Sequence, residues 1–424
     1  MGTHALDSTA SPAAPGRAGA RPHLMIFAYW FPPANAIGSS RPAAMARYFA
    51  ARGWRVSVVA GASEAVPPTF AADLSGFDVD YVRDGWLTRL SSFRTDRGAL
   101  AQRLSTAVRL LSWPDHVWPV ARAMRRRALA MVAREGPPDV VLSTALPFSV
   151  HSAARAVARK SGALYVADNR DIWAHNPYKW SARLYKPFEP RHERTMLGAA
   201  DLIVAVSDGM TAQYAANYPE FADRLLTVMN GVDPGEAARA HHRDPDRLRL
   251  VYTGILYGDR RDVTPLLRAA DALGLPVAID FYGSEPEVVR QIARDFPRLA
   301  IADRGRVPRD EALAAQAQAD AAILVVGTDA WEDTLLPGKL FEYAGSGRPI
   351  IALANKHSDS GRLIARHDLG LATIDEAEIA AFLRRLVDSG IATRRAVPEA
   401  LTRDSQLHLL ETRLAALCER RERP

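Results

Sequence analysis

The chain has 424 residues, of which 48% are hydrophobic and 24% are charged, with a formal net charge of +6. This composition is typical of a soluble globular protein, and the length favours two domains over one. A single cysteine excludes an intrachain disulfide. No run of about 18 apolar residues occurs, which excludes a membrane-spanning helix.

Residues 1–22 are rich in Ala, Pro, Gly, Ser and Thr and lack the apolar core of an export signal. We interpret them as a disordered tail and expect a cytoplasmic protein, because a lone Cys418 also fits a reducing compartment. The excess of positive charge fits anionic partners, and it also fits the ordinary charge of a soluble surface.

Short apolar runs alternate with helical patterns, which predicts an α/β protein with parallel sheets covered by helices. The first series predicts strands over 23–30, 56–60, 139–144, 163–167, 200–206 and 226–229, with helices over 42–52 and 150–160. The second series predicts strands over 248–253, 277–282, 301–306, 321–326 and 349–353, and a last amphipathic helix over about 403–420. The predicted domains are 23–235 and 248–400, joined by a polar linker at 236–247 and followed by a C-terminal helical segment at 401–424.

Residues 335–353 form the most informative stretch. Pro337 and Gly338 open a predicted helix in which Lys339 and Glu342 share one face near the N-terminus. Free backbone N–H groups at a helix N-terminus favour phosphate, a cation suits a diphosphate, and a carboxylate suits a ribose diol. The pattern indicates a nucleotide-sugar site, with a surface ion pair on an ordinary helix as the alternative.

This stretch resembles the donor motif of retaining glycosyltransferases of family 4 (group 1). Two further segments carry the resemblance: residues 168–173 match the family's Asp-x-Arg-Asp-x-Trp motif, and residues 230–233 match its Asn-Gly-Val-Asp turn. The resemblance covers roughly residues 24–400. It implies the GT-B fold, in which two Rossmann-like domains with parallel sheets face a central cleft, and in which the last helix packs back toward the N-terminal domain.

On the donor side, the resemblance implies that the C-terminal domain binds the nucleotide-sugar. The implied donor-binding residues are Gly258, Arg260, Gly283, Val307, Pro337, Gly338, Lys339, Leu340 and Glu342. Arg261 is an alternative to Arg260 for the diphosphate. The family commonly has a sugar-contacting glutamate eight positions before the ribose-binding one, where this chain has Thr334. The donor sugar and the nucleobase therefore stay open.

On the acceptor side, the resemblance implies roles for Gly38, Arg41, Arg170 and Asp171. The implied catalytic set is His151, Asp171, Lys339 and Glu342. Two alternatives stay open from the residues alone. Arg170 can be a structural partner of a neighbouring aspartate, and His151, near a predicted helix start, can be a surface or capping residue.

The implied activity is the retaining transfer of a sugar from a nucleotide-sugar to a hydroxyl of a glycan, a lipid-linked or a small-molecule acceptor. Polysaccharide, glycolipid and natural-product biosynthesis fit equally well. We expect no metal, no other cofactor and no nucleic-acid partner. The alternatives are a GT-B nucleotide-sugar 2-epimerase and a catalytically silent GT-B paralogue that acts as a binding or scaffold subunit.

A predicted helix near Trp118 carries a basic patch. Its arginines are Arg122, Arg125, Arg126, Arg127 and Arg134. The patch is either a solvated helix face or a peripheral contact with the anionic inner surface of a membrane, where a lipid-linked acceptor would lie.

Overall fold

The computed structural model describes residues 21–36, 38–63, 66–91, 99–177, 185–233, 244, 246–256, 262–274, 276–388 and 396–422. The chain divides into two compact units. The first unit comprises Met1–Val204 and Leu409–Pro424, and the second comprises Ala205–His408. The predicted α/β fold with two parallel sheets is confirmed.

The strands in chain order are β1 (His23–Ala28), β2 (Arg55–Ala62), β3 (Asp78–Arg83), β4 (Val140–Thr144), β5 (Leu164–Asn169), β6 (Leu202–Ala205), β7 (Leu225–Thr227), β8 (Leu248–Thr253), β9 (Val277–Tyr282), β10 (Ala300–Asp303), β11 (Ala321–Val325), β12 (Ile350–Leu353) and β13 (Gly370–Ala372).

The α-helices in chain order are α1 (Ser40–Ala51), α2 (Trp86–Ser91), α3 (Ala99–Leu111), α4 (Trp118–Glu135), α5 (Ser149–Ser161), α6 (Glu189–Gly198), α7 (Asp208–Asn217), α8 (Thr264–Leu273), α9 (Pro286–Asp295), α10 (Arg309–Gln318), α11 (Gly338–Ser346), α12 (Asp359–Arg366), α13 (Glu376–Asp388) and α14 (Arg403–Glu422). Short 3-10 helices cover Pro219–Arg224, Glu332–Thr334 and Glu399–Leu401.

The first sheet has the strand order β3-β2-β1-β4-β5-β6-β7, and the second has the order β10-β9-β8-β11-β12-β13. In the first, Leu24 of β1 lies opposite Val56 of β2 and Val140 of β4 in parallel register. Strand order reverses between β1 and β4 and between β8 and β11. Ligands of open parallel sheets bind beyond the carboxyl ends of the strands at such reversals, so these two edges are where a site is expected.

The central strands are apolar because helices cover both faces of a parallel sheet. All six residues of β1 are buried, as are all residues of β4, β11 and β12. The sequence predicted these strands within a few residues. It missed β3, whose polar sequence DVDYVR gives no continuous apolar run at the edge of the sheet.

Candidate functional site

Two glycines lie just beyond the carboxyl ends of β8 and β9 in the second unit. The Gly254 N–H donates to the Tyr282 carbonyl at 2.6 Å, and the Ser284 hydroxyl donates to the Gly254 carbonyl at 2.9 Å. Gly254 and Gly283 have φ of +114° and +79°, which favours glycine at both positions. The second sheet therefore ends in a smooth backbone surface beside the reversal of strand order.

Lys339 lies over this glycine surface from the first turn of α11. A methyl group at Gly254 would stand 1.8 Å from the Lys339 Nζ, and Nζ lies 5.1 Å from the centroid of the Tyr252 ring. The predicted helix is confirmed, with Pro337 before it and Gly347 after it at φ +70°. The ammonium group thus lies at a helix N-terminus. Its positive charge and the helix N-terminus both favour the binding of an anion.

Glu342 lies one turn further along α11. Its Oε1 forms an ion pair with the Arg309 Nη2 at 3.2 Å, and the two side chains are 29% and 42% exposed. Arg309 is the first residue of α10, and no sequence signal indicates its contact with Glu342. Glu342 therefore forms a surface ion pair with an arginine of another helix, and its side chain stays accessible to solvent.

A buried hydroxyl network fixes α11 against β8. The Tyr343 hydroxyl lies 3.1 Å from both the backbone N and the Oγ1 of Thr253, and the Gln316 Nε2 donates to the same Oγ1 at 3.1 Å. Burial raises the pKa of Tyr343. This hydroxyl therefore remains protonated and holds the helix that carries Lys339 and Glu342.

Thr334, which stands where the family has a glutamate, packs against another part of the second unit. Its carbonyl accepts a hydrogen bond from Ser207 at 2.7 Å, and a methyl group at Gly209 would lie 3.0 Å from its Cβ. The nearby Glu332 is 6% exposed, and its carboxylate occupies the space beside Gly327, where a methyl group would lie 1.1 Å from Oε2. A side chain at 327 would therefore displace the Glu332 carboxylate, a contact that sequence reasoning missed.

The other predicted donor residues differ in their surroundings. Gly338 is exposed, Pro337 and Val307 are half-buried, and Leu340 is fully buried in the core of the second unit. The Leu340 side chain therefore packs inward. Gly258, Arg260 and Arg261 lie outside the described residues, so their prediction stays open.

In the first unit, Arg41 and Asp168 form a buried ion pair. Arg41 is 3% and Asp168 0% exposed, and the Arg41 Nη2 lies 2.7 Å from the Asp168 Oδ1. Burial alone would raise the pKa of Asp168, but Arg41 holds it below its ordinary value. The pair links α1 to the end of β5.

Arg170 lies against the loop that carries Gly38. A methyl group at Gly38 would stand 2.7 Å from the guanidinium, which also donates to the Ala145 carbonyl and, at 3.3 Å, to the Leu146 carbonyl. Arg170 and Asp171 are half-buried. Burial raises the pKa of Asp171, and the neighbouring Arg170 opposes that rise. Gly38 thus leaves room for an arginine side chain.

His151 faces the interior of the first unit from α5. It is 3% exposed, and its Nδ1 lies 2.7 Å from the Ser143 hydroxyl, which lies 3.1 Å from the Tyr165 hydroxyl. Burial lowers the pKa of His151 to about 4, so the ring is neutral at pH 7. The structure therefore places His151 in a buried polar cluster rather than at an exposed helix start.

Sequence reasoning missed a set of polar side chains near the carboxyl edge of the first sheet. Tyr29, just after β1, donates to Asp84, just after β3, at 2.9 Å, and both are buried. The carboxylate of Asp115 accepts from the backbone N and the hydroxyl of Ser149 at 2.8 and 2.7 Å. The sequence signal for Tyr29 and Asp84 is their position directly after strands. The sequence does not predict β3, so this signal is missing for Asp84.

The described part of the chain contains no group of three or more His, Cys, Asp or Glu side chains arranged to hold a metal ion. None of its helices combines the length and the apolar character needed to cross a membrane.

A family model described as Glycosyltransferase Family 4 matches residues 42–236. No curated protein sequence matches the chain.

Solved structures with the same fold cover 94–95% of the chain. The apo form of the lipopolysaccharide outer core galactosyltransferase WaaB has a TM-score of 0.57 at 13% identity, covering 94% of this chain and 99% of its own. Anabaena HepE in complex with UDP has a TM-score of 0.56 at 11% identity, covering 94% and 98%. A glycosyltransferase from Rickettsia africae has a TM-score of 0.55 at 11% identity, covering 95% and 96%. The chain therefore has the fold of GT-B glycosyltransferases.

Proposed function

We propose that the chain is a retaining glycosyltransferase that moves a sugar from a nucleotide-sugar to a hydroxyl acceptor. One observation carries the proposal: the ammonium of Lys339 lies over the Gly254 backbone at the N-terminus of α11, beyond the strand reversal of the second sheet. The match to the Glycosyltransferase Family 4 model and the complexes of HepE with UDP and with UDP-glucose support it.

In this proposal the second unit binds the donor. Lys339 and the backbone N–H groups at the N-terminus of α11 bind the diphosphate, and Glu342 accepts hydrogen bonds from the ribose diol. Arg260 is proposed as a further diphosphate ligand. These groups balance the charge that grows on the leaving diphosphate, so we expect turnover to persist in excess chelator.

The first unit is proposed to bind the acceptor. Arg170 and Asp171 are the predicted acceptor-side charges that stay partly exposed, whereas Arg41 and His151 are buried. The bond from the anomeric carbon to the diphosphate breaks, and the acceptor oxygen bonds to that carbon on the same face. The acceptor proton passes to the departing diphosphate, so the protein contributes orientation and electrostatic stabilisation.

The test is turnover of a panel of uridine, guanosine and thymidine diphosphate sugars, with and without simple acceptors, followed by mass spectrometry and NMR. We expect slow hydrolysis without acceptor, and Lys339→Ala and Glu342→Ala each to lower turnover at least about tenfold, a loss of about 1.4 kcal/mol of transition-state stabilisation. Lys356→Ala is the matched control, because Lys356 is an exposed lysine of the same unit that pairs with Glu378.

Near-normal turnover in both α11 variants would refute the donor site. A sugar epimerised at C2 would indicate the 2-epimerase instead. Complete inactivity toward every donor, together with nucleotide binding, would indicate a binding subunit.

A further inference from the structure

Helix α3 in the first unit carries an apolar stripe that faces solvent. Leu100, Leu104 and Leu111 are 81%, 47% and 72% exposed. At about 100° per residue, positions spaced by four and eleven fall within an arc of roughly 40°. In contrast, Ser105 on another side of the same helix is buried. The helix therefore exposes the centre of its apolar face to solvent, whereas an ordinary surface helix packs that face inward.

The neighbouring helix α2, which contacts α3, carries a further exposed apolar residue. Trp86, its first residue, is 77% exposed. The large apolar side chains that are exposed in the described residues are Trp86, Leu100, Leu104, Leu111, Leu146, Phe188, Ile255, Ile374 and Leu409. The first four lie in α2 and α3, so exposed apolar surface is concentrated there. Contiguous exposed apolar surface marks an interaction site.

The charge of α2 and α3 indicates which kind of partner this surface binds. Together they contain three arginines, Arg89, Arg103 and Arg109, all exposed, and no acidic residue. Arg103 directly precedes Leu104 and flanks the stripe. Two copies of the chain meeting through this surface about a two-fold axis would bring like charges together. An anionic lipid surface instead offers acyl chains for the leucines and phosphates for the arginines.

The basic patch of α4 is a weaker candidate. Arg127 lies 3.9 Å from the Asp80 carboxylate, Arg134 pairs with Glu135 at 2.5 Å, and the Arg122 guanidinium lies 5.7 Å from the centroid of the Trp118 ring. These arginines are partly balanced within the protein, and the exposed leucines lie on α3.

We propose that the outer face of α3, together with Trp86, docks on an anionic phospholipid bilayer. Thirteen residues give a helix of about 20 Å that lies in the plane of the interface, with leucines at the acyl boundary, Trp86 at headgroup level and Arg103 on the phosphates. This inference concerns where the chain acts and does not depend on the reaction proposed above.

The test is co-sedimentation of the full chain with sucrose-loaded vesicles of phosphatidylcholine, with and without phosphatidylglycerol, at low salt. We expect at least tenfold tighter binding to the anionic vesicles and at least a tenfold loss for Leu104→Glu. Ile374→Glu is the matched control, because Ile374 is an apolar residue of the second unit with 48% exposure against 47% for Leu104. The control should bind like the wild type.

Three outcomes would overturn the proposal. The first is a wild type that does not sediment with anionic vesicles. The second is Leu104→Glu binding like the wild type while charge reversal of Arg122 and Arg126 abolishes binding. The third is a wild-type dimer without vesicles that Leu104→Glu converts to a monomer, which would make the surface a contact between copies. Arg103→Glu is a second test of the same surface. We expect this variant to bind more weakly to the anionic vesicles but not to the vesicles without phosphatidylglycerol.

Discussion

The carboxyl edges of the two sheets use charged residues in different ways. In the first unit, Arg41 and Asp168 are almost completely buried and bind each other. In the second, Lys339 and Glu342 are partly exposed on the first turns of α11. A buried pair mainly holds backbone segments together, whereas accessible charges at a helix N-terminus can bind a ligand. Charged motifs at equivalent edges thus do not imply equivalent roles.

The largest effect is expected from breaking the buried pair. Asp168→Asn leaves Arg41 buried without its counter-charge, which should lower the free energy of unfolding by about 3–5 kcal/mol. Urea unfolding followed by tryptophan fluorescence measures it, since seven of the eight tryptophans precede residue 205.

Asp80→Asn in the same unit is the control for this variant. Its partner Arg127 is 63% exposed at 3.9 Å, so the loss should stay below about 1 kcal/mol. If Asp168→Asn unfolds like the wild type but loses turnover, the buried pair acts in the reaction and the contrast between the two edges is wrong.

A smaller effect is expected from acid. Burial lowers the pKa of His151 from 6.5 to about 4, so the unfolded chain binds a proton between these pH values that the folded chain does not. Stability should therefore be complete above pH 6.5 and fall as the pH drops toward 4, by up to roughly 3 kcal/mol for this group. His23, buried near Ser57 with a pKa of about 4, adds a loss of the same sign.

Unfolding midpoints from pH 7.5 to 5 check this prediction in the wild type and in His151→Gln. The variant should lose the part of the pH dependence that His151 contributes, while the parts from His23 and the half-buried His116 remain, whatever its absolute stability. An unchanged slope would mean that His151 has the same pKa in the folded and the unfolded chain, as an imidazole open to water would have.

Much of the fold was predictable because buried parallel strands are continuous apolar runs. The strands at Leu248–Thr253 and Val277–Tyr282 were predicted to the residue, and α11 begins directly after Pro337 as expected. β3 was not, because an edge strand buries less surface and its sequence stays polar.

The sequence predicted site residues only where they lie on the same helix or strand, and it did not predict contacts between different helices and strands. Lys339 and Glu342 were predictable because both lie on one helix, with a motif around them. The sequence missed Arg309, which reaches Glu342 from the start of another helix, and Tyr343, whose role depends on a hydroxyl contact with β8. The resemblance implied substrate-side roles for Arg41 and His151, and the sequence does not show that both are buried, since burial depends on packing that charged motifs do not report.

The smallest effect is expected at Arg309, and it tests whether Glu342 is truly available to a ligand. Arg309→Ala removes an ion pair whose side chains are 42% and 29% exposed, so stability should fall by no more than about 1 kcal/mol. Turnover should change by less than about threefold, against at least tenfold for Glu342→Ala, because the donor rather than Arg309 is the proposed partner of the carboxylate. Steady-state kinetics of the two single variants and the double variant form a cycle for this pair. Equal losses in all three would show that Glu342 acts only through Arg309, and α11 would then resemble the buried, structural edge of the first unit.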